Sequence, residues 1–367
     1  MGVRYKLFSA VSWRVEARAA ALPAEAGQRL RERLGHLMRW TGVHGSLPQV
    51  RNRAVILCFH GIGERPDPQV ESGVLEVRKF CQLLGVLERS FQVISLAELV
   101  AALRESNPLP PRSVAITFDD GYANNYELAA GELAARRMPW SAFLPVLLVE
   151  NGARQWVDDV RVLLHRGRHQ RLTFNWGGQE VELDLTTPDQ RRAAVASLEQ
   201  RYRYAPEETR QNRLNELYAQ YSLDEIQSLR ARYPSFAVMS WPQARELKQA
   251  GVDVGSHGLT HIALAPQSPE RIRHEIAAAR DLLQQRIGDH SPHFSYPYGR
   301  TVSISPTTQG VLEEAGYQCA LTLEADVVHC PGADPMQLPR LIVSSRVGRV
   351  LVGLWQRFNV CAGDAAR

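Results

Sequence analysis

The chain has 367 residues, 44 % of them hydrophobic and 22 % charged, a balance that excludes disordered, collagenous and coiled-coil chains. Its 43 Lys and Arg against 39 Asp and Glu leave a formal net charge of +4, too small for a protein that tracks nucleic-acid phosphates. Residues 1–53 hold ten basic side chains and three acids, so this leader carries +7 and the remainder −3.

The leader reads as an appended basic arm, helical over 25–40 and ended by Gly42-Val43-His44-Gly45-Ser46-Leu47-Pro48. It is either a solvated amphipathic arm or a peripheral contact for an acidic membrane surface. Arg14, Glu16 and Arg18 interrupt any apolar run of signal-peptide length, and no run of about 18 uncharged apolar residues follows. Five widely spaced cysteines (Cys58, Cys81, Cys319, Cys330 and Cys361), with no Cys-x-x-Cys, fit free thiols in a reducing compartment. These features set the expectation of a cytoplasmic protein without a spanning helix, whose basic leader is a candidate for peripheral contact with the inner membrane face.

From residue 54 a strand–helix rhythm begins. The apolar runs 54–59 and 113–118 suit buried parallel strands, with helices predicted over 74–88 and 96–103 between them. A helix is expected over 125–136 and a strand over 140–149, limited by Pro145. Residues 150–235 break the rhythm and read as a mostly helical insertion, with helices at 192–202 and 209–218 and a hairpin around Trp176-Gly177-Gly178. This insertion contains no chemical motif and is expected to shape a substrate channel. The rhythm resumes with a helix over 241–250 capped by Ser240, a strand at 252–255, and a helix from Ser268-Pro269-Glu270 to about 287. Strands at 293–296, 317–321 and 338–343, helices at 307–315 and 351–358, and a tail complete the chain. About seven strands alternating with helices predict an imperfect α/β barrel, with strand C-terminal ends pointing one way. The expected division is 1–53, the barrel at 54–345, and a C-terminal helix and tail at 346–367.

Four groups of residues at predicted strand ends carry the chemistry. Thr117-Phe118-Asp119-Asp120-Gly121 puts two carboxylates after an apolar strand. A turn at Gly121 would aim both into one cleft, one to bind a cation and one as a base; the plainer alternative is an Asx cap on the next helix. Ser256-His257-Gly258-Leu259-Thr260-His261 places two imidazoles four residues apart, on one side if the segment turns helically. Two His and one carboxylate form a common ligand set with open coordination; two unrelated surface histidines are the alternative. Phe294-Ser295-Tyr296-Pro297-Tyr298-Gly299 offers aromatic packing for a sugar and a backbone N–H near Tyr298 for an oxyanion, and is equally compatible with a structural loop. His60, after Cys58-Phe59, is either a site residue or a turn histidine, and Arg340 is either a partner of Asp119 or a surface arginine.

Taken in order, TFDDG (117–121), SHGLTH (256–261) and FSYPYG (294–299) make the chain resemble the polysaccharide deacetylases of carbohydrate esterase family 4, the NodB-homology family. The resemblance runs over roughly 54–345 and implies a distorted (β/α)7 barrel. It implies a divalent metal, Zn2+ first and Co2+, Ni2+ or Mn2+ next, and removal of acetyl groups, chiefly N-acetyl. The implied substrate is a cell-envelope or exopolysaccharide sugar or its lipid-linked precursor, with no nucleic-acid partner. By position, Asp119 resembles the catalytic base, Asp120, His257 and His261 the metal ligands, and Tyr298 the residue whose N–H helps form the oxyanion hole. The family's third motif opens with an arginine that braces the base, and none stands here; Arg340 is the replacement candidate. The family's late Leu-x-x-His motif is also missing, which leaves His60, and less well His329, for the general acid. Two alternatives follow from these departures: a glycan-binding member without catalysis, and a metal-dependent hydrolase of another amide or ester.

Overall fold

The computed structural model describes residues 22–41, 52–176, 179–288 and 291–359. Seven parallel strands form its centre: β1 (Arg53–Phe59), β2 (Ser113–Phe118), β3 (Ser141–Leu144), β4 (Asp253–Ser256), β5 (His293–Ser295), β6 (Cys319–Leu321) and β7 (Arg340–Ile342). β7 pairs with β1, and the order then runs β1-β2-β3-β4-β5-β6. A parallel bridge between Leu321 and Leu338 brings the far edge round to the start of β7. The result is the distorted (β/α)7 barrel, curled and thinly closed. Its distortion has a local cause. β2 pairs with β3 only near its C-terminal end (Thr117 with Ser141), while the short strand Gln92–Val93 occupies its N-terminal end. Val328–His329 likewise runs antiparallel against the start of β1.

β1 and β2 are apolar and buried on both faces, as their continuous hydrophobic runs require. Phe59 and Phe118, the last residues of adjacent β1 and β2, stack at 5.0 Å, with Phe80 and Trp140 packed edge-on around them. Their register aligns the strand ends, so that His60 and Asp119 leave the barrel side by side.

Several expected elements shift. β3 stops at Leu144, because Pro145 removes a ladder donor and starts the helix Val146–Asn151. Residues 125–136 begin as a π-helical turn, Asn125–Ala129, before the α-helix Ala130–Ala135. The insertion holds the hairpin Arg171–Trp176 with Gln179–Asp184, whose Gly177-Gly178 tip lies outside the described residues. It also holds the helices Pro188–Arg203 and Glu207–Tyr218, together with Trp156–Arg166 and Leu223–Ala231, which periodicity did not reveal. These elements close over their own apolar core, with Leu163, Leu198, Tyr202 and Leu217 buried.

The described part of the leader is no detached arm. Its helix Ala24–Thr41 packs against Val347–Asn359, and Leu34 and Met38 join the main core. The rest of the leader, the predicted breaker at 42–48 and Cys361 lie outside the described residues. Cys58, Cys81, Cys319 and Cys330 are free thiols. Among the described residues no helix is long and apolar enough to cross a membrane.

Candidate active site

All four groups of residues singled out in the sequence meet at one end of the barrel, the rim reached by the strand C-termini, where parallel barrels gather their chemistry. A cleft of about 290 Å³ opens there, lined by His60, Asp119, Asp120, His257, His261 and Tyr298 among others. The turn after β2 begins one residue earlier than expected, because Asp120 itself has φ 71°, followed by Gly121 at 60°. Asp tolerates this left-handed region better than most residues, and a side chain at Gly121 would press on Leu144 and Pro145. The two successive turns break strand alternation and bring both carboxylates to the cleft.

Asp119 is buried, and its main-chain N–H donates to the Phe59 carbonyl at 2.9 Å. Arg340, fully buried on β7, holds it as a fork: Nη1 donates to Oδ1 at 2.9 Å and Nη2 to Oδ2 at 2.6 Å. Ser295 Oγ also donates to Oδ2, at 3.1 Å. Burial alone raises a carboxyl's pKa, but the charge and hydrogen bonds of Arg340, together with the neighbouring His257 and His60, outweigh it and carry Asp119 down to about 2. Arg340 therefore stands where the missing motif arginine would be needed, reaching the same carboxylate from a different strand.

Asp120, His257 and His261 form a separate cluster. Asp120 Oδ1 lies 3.6 Å from His257 Nε2 and 3.3 Å from His261 Nε2. The histidine segment is an open loop, not the helical turn expected. Gly258 and His261 have φ 78° and 57°, and the buried Glu275 carboxylate accepts from the Leu259 and Thr260 amides at 3.1 and 3.0 Å. His257 Nδ1 faces the Ser295 carbonyl at 2.8 Å; a carbonyl only accepts, so Nδ1 carries the proton and Nε2 presents its lone pair. Burial, aided by His261, pushes His257 down to about 4, which keeps the imidazole neutral as a ligand must be. One carboxylate oxygen and two Nε2 atoms at these separations fit the ligand edges around a divalent ion bound at about 2.0–2.2 Å.

A second close group, Cys58, His60 and Asp119, has donor atoms equally near one another. It does not suit a cation, because both Asp119 oxygens already face the Arg340 guanidinium. Tyr298 lies across the cleft, its ring 4.8 Å from that of His261. Its φ is 62°, and among the described residues its amide N–H has no protein acceptor. His329 sits opposite Arg53 at the start of β1, whereas His60 follows its end, so His329 is at the wrong end of the barrel to serve as an acid.

Sequence reasoning missed four supporting residues. Ser295 and Glu275 had faint signals, one inside a noted motif and one an acid on the buried face of a helix beside Ile272 and Ile276. Gln155, whose Nε2 donates to Asp120 Oδ1 at 3.0 Å, and Trp156, whose Nε1 donates to Tyr298 Oη at 3.0 Å, had none. Both come from the insertion, which also lends Arg161 and Arg203 to the cleft wall. The segment read as lacking chemistry thus builds one side of the site.

The polysaccharide deacetylase family model matches residues 227–320, the stretch that contains both histidines and the Tyr298 loop. Over that stretch, about a quarter of its length, the chain is similar to the polysaccharide deacetylase family. Among curated relatives, the chain is 29 % identical over 111 residues to the poly-beta-1,6-N-acetyl-D-glucosamine N-deacetylase of Escherichia coli (strain K12). That match spans 30 % of this chain and 15 % of the relative, and another curated relative is covered over 28 % of its length. Among solved structures, the Streptococcus pyogenes deacetylase PplD in complex with acetate superposes with a TM-score of 0.55 at 17 % identity, covering 84 % of this chain and 99 % of that one. IcaB from Ammonifex degensii gives 0.54 at 20 % identity, with 83 % and 97 % covered. These likenesses show a shared fold over more than four fifths of the chain.

Proposed function

We propose that this protein is a metal-dependent hydrolase that removes acetyl groups, chiefly N-acetyl, from a cell-envelope polysaccharide or its lipid-linked precursor. The observation that carries the reading is the pairing of two different carboxylates at one strand end. Asp120 faces two imidazoles, and its neighbour Asp119 is reserved from them by the Arg340 fork.

Asp120, His257 and His261 would hold the ion, and this donor set favours Zn2+, with Co2+, Ni2+ or Mn2+ as alternatives. A divalent cation there supplies polarisation of the acetyl carbonyl and acidification of water. Asp119 takes the proton of the attacking water; Arg340 keeps its carboxylate ionised and fixed in direction. The Tyr298 N–H donates to the oxygen that becomes negative as the tetrahedral centre forms. His60, on the cleft wall beside Asp119, donates a proton to the departing nitrogen. The name of the Escherichia coli relative makes β-1,6-linked N-acetylglucosamine oligomers the first substrate to try. The free thiols support a reducing, cytoplasmic setting, and the basic leader supports a peripheral membrane contact; vesicle flotation of the full chain against one lacking residues 1–21 tests the latter.

The deciding experiment is acetate release from a panel of acetylated glycans by the wild type and by Asp119→Asn, each with its metal content measured. The substitution should lower turnover by about 10²–10⁴-fold while metal stays bound. Undiminished turnover in Asp119→Asn would remove the base assignment. Glycan binding without acetate release under all four metals would support a non-catalytic member instead.

A further inference from the structure

A second pocket of about 440 Å³ lies where the insertion meets Leu147, Leu148 and the histidine loop at Thr260, and it is lined by Arg154, Gln155, Arg210, Arg230, Asp159 and Glu207 among others. Its charges are unbalanced in a specific way. Asp159 accepts from Arg230 and from Tyr218 Oη, and Glu207 is paired with Arg271. Both acids are therefore already matched to other groups.

Arg210 and Arg154 are left over. Arg210 is only 5 % exposed, and its Nη1 is buried without a hydrogen-bond partner. Arg154 donates through Nη2 to the Arg230 carbonyl at 2.7 Å, but its Nη1 is likewise buried and unmatched. Neither guanidinium has a carboxylate within ion-pair distance among the described residues. Arg154 is half-buried with the Asp159 charge near it, whereas Arg210 is a buried cation with no carboxylate at ion-pair distance, and an uncompensated buried cation is costly. Gln155 adds a third unmet demand of the opposite kind. Its Nε2 is committed to Asp120, and its Oε1 is buried with no donor.

We propose that this pocket is a second binding site, separate from the acetyl-hydrolysing cleft, for a small molecule carrying an oxyanion next to a hydroxyl. The oxyanion, a phosphoryl or carboxylate group, is held by Arg154 and Arg210, and the hydroxyl donates to Gln155 Oε1. A sugar phosphate and a uronate both have this chemistry. The pocket shares a wall with the cleft through Gln155 and Trp156, which touch Asp120 and Tyr298 from behind.

The test is calorimetric titration of the full, metal-loaded chain with inorganic phosphate, with glucuronate and with glucose, alongside thermal unfolding in each. The wild type should bind at least one anion and ignore glucose, and a preference for glucuronate or for phosphate identifies the source. Arg210→Met should weaken that binding by about tenfold or more, the scale of a lost charge-assisted hydrogen bond. Without anion it should melt no lower than the wild type, because a buried unpaired charge has been removed. Arg154→Met gives the same reading if Arg210→Met does not fold. Equal anion affinity in wild type and variant, or no anion-dependent shift beyond that of chloride at equal ionic strength, overturns the proposal. Binding at the metal cluster would persist in both variants and so counts against it.

Discussion

Arg340 uses its guanidinium completely: Nε donates to the Thr322 carbonyl at 2.9 Å, Nη1 to Thr117 Oγ1 and Asp119, and Nη2 to Ser295 Oγ and Asp119. The pair is buried, so each charge depends on the other to offset the loss of water. Arg340→Met should destabilise the fold by about 3–5 kcal/mol, and adding Asp119→Asn should recover much of that loss. Urea unfolding of the two single variants and the double variant measures this; simple additivity would mean the two side chains are not coupled. Gln155 acts on the other carboxylate. Gln155→Leu should weaken metal binding by about 10–100-fold, read by competition with a chromogenic chelator, since a group that orients a ligand is lost. Unchanged affinity would show that Asp120 is oriented without it. The two residues differ in how readable they were. An arginine directly after Leu338-Pro339, entering a predicted strand, could be aligned with the rim; a glutamine before an unrecognised helix could not. What Gln155 touches depends on how the whole insertion folds back, and no local pattern encodes that.

At the level of helices and strands, periodicity located most elements, while their docking stayed hidden. The helix Ala24–Thr41 was visible as an amphipathic stretch. Its crossing with Val347–Asn359 depends on Gly35 and Gly348, which lie where the two backbones nearly touch. A Cβ on Gly348 would fall 2.4 Å from the Glu32 carbonyl oxygen, and one on Gly35 would fall 2.1 Å from that of Gly348. The same crossing lets the Glu32 carboxylate accept from the Gly348 and Arg349 amides at 3.0 and 3.2 Å, placing negative charge at a helix N-terminus. Gly348→Val should therefore cost about 1–3 kcal/mol by forcing the helices apart. Chemical denaturation reads this, and a neutral outcome would place the leader helix elsewhere. Charge counting alone had suggested a free arm; the small residues that permit contact carry no charge or periodic signal.

Across the whole molecule, the site was legible because a parallel barrel turns linear order into convergence. His60, the two aspartates, the histidine pair and Tyr298 each come after a predicted strand, so locating those strands located the rim, whereas Arg340 opens its own strand and reaches Asp119 from within the barrel. The proposed metal cluster joins the end of β2 to the loop after β4, two strands separated by β3 and by the entire insertion. An ion bound there is linked to folding, because the unfolded chain holds no such arrangement of ligands. If free metal exceeds its dissociation constant a thousandfold, the linkage contributes about 4.1 kcal/mol. Stripping the ion with a strong chelator should then lower the urea midpoint and thermal midpoint of the wild type, and restoring Zn2+ should return them. His257→Ala should show a low midpoint that neither treatment moves, since one of three ligands is gone. The comparison separates a structural clip from incidental binding: identical chelator sensitivity in wild type and His257→Ala would place the ion away from Asp120, His257 and His261.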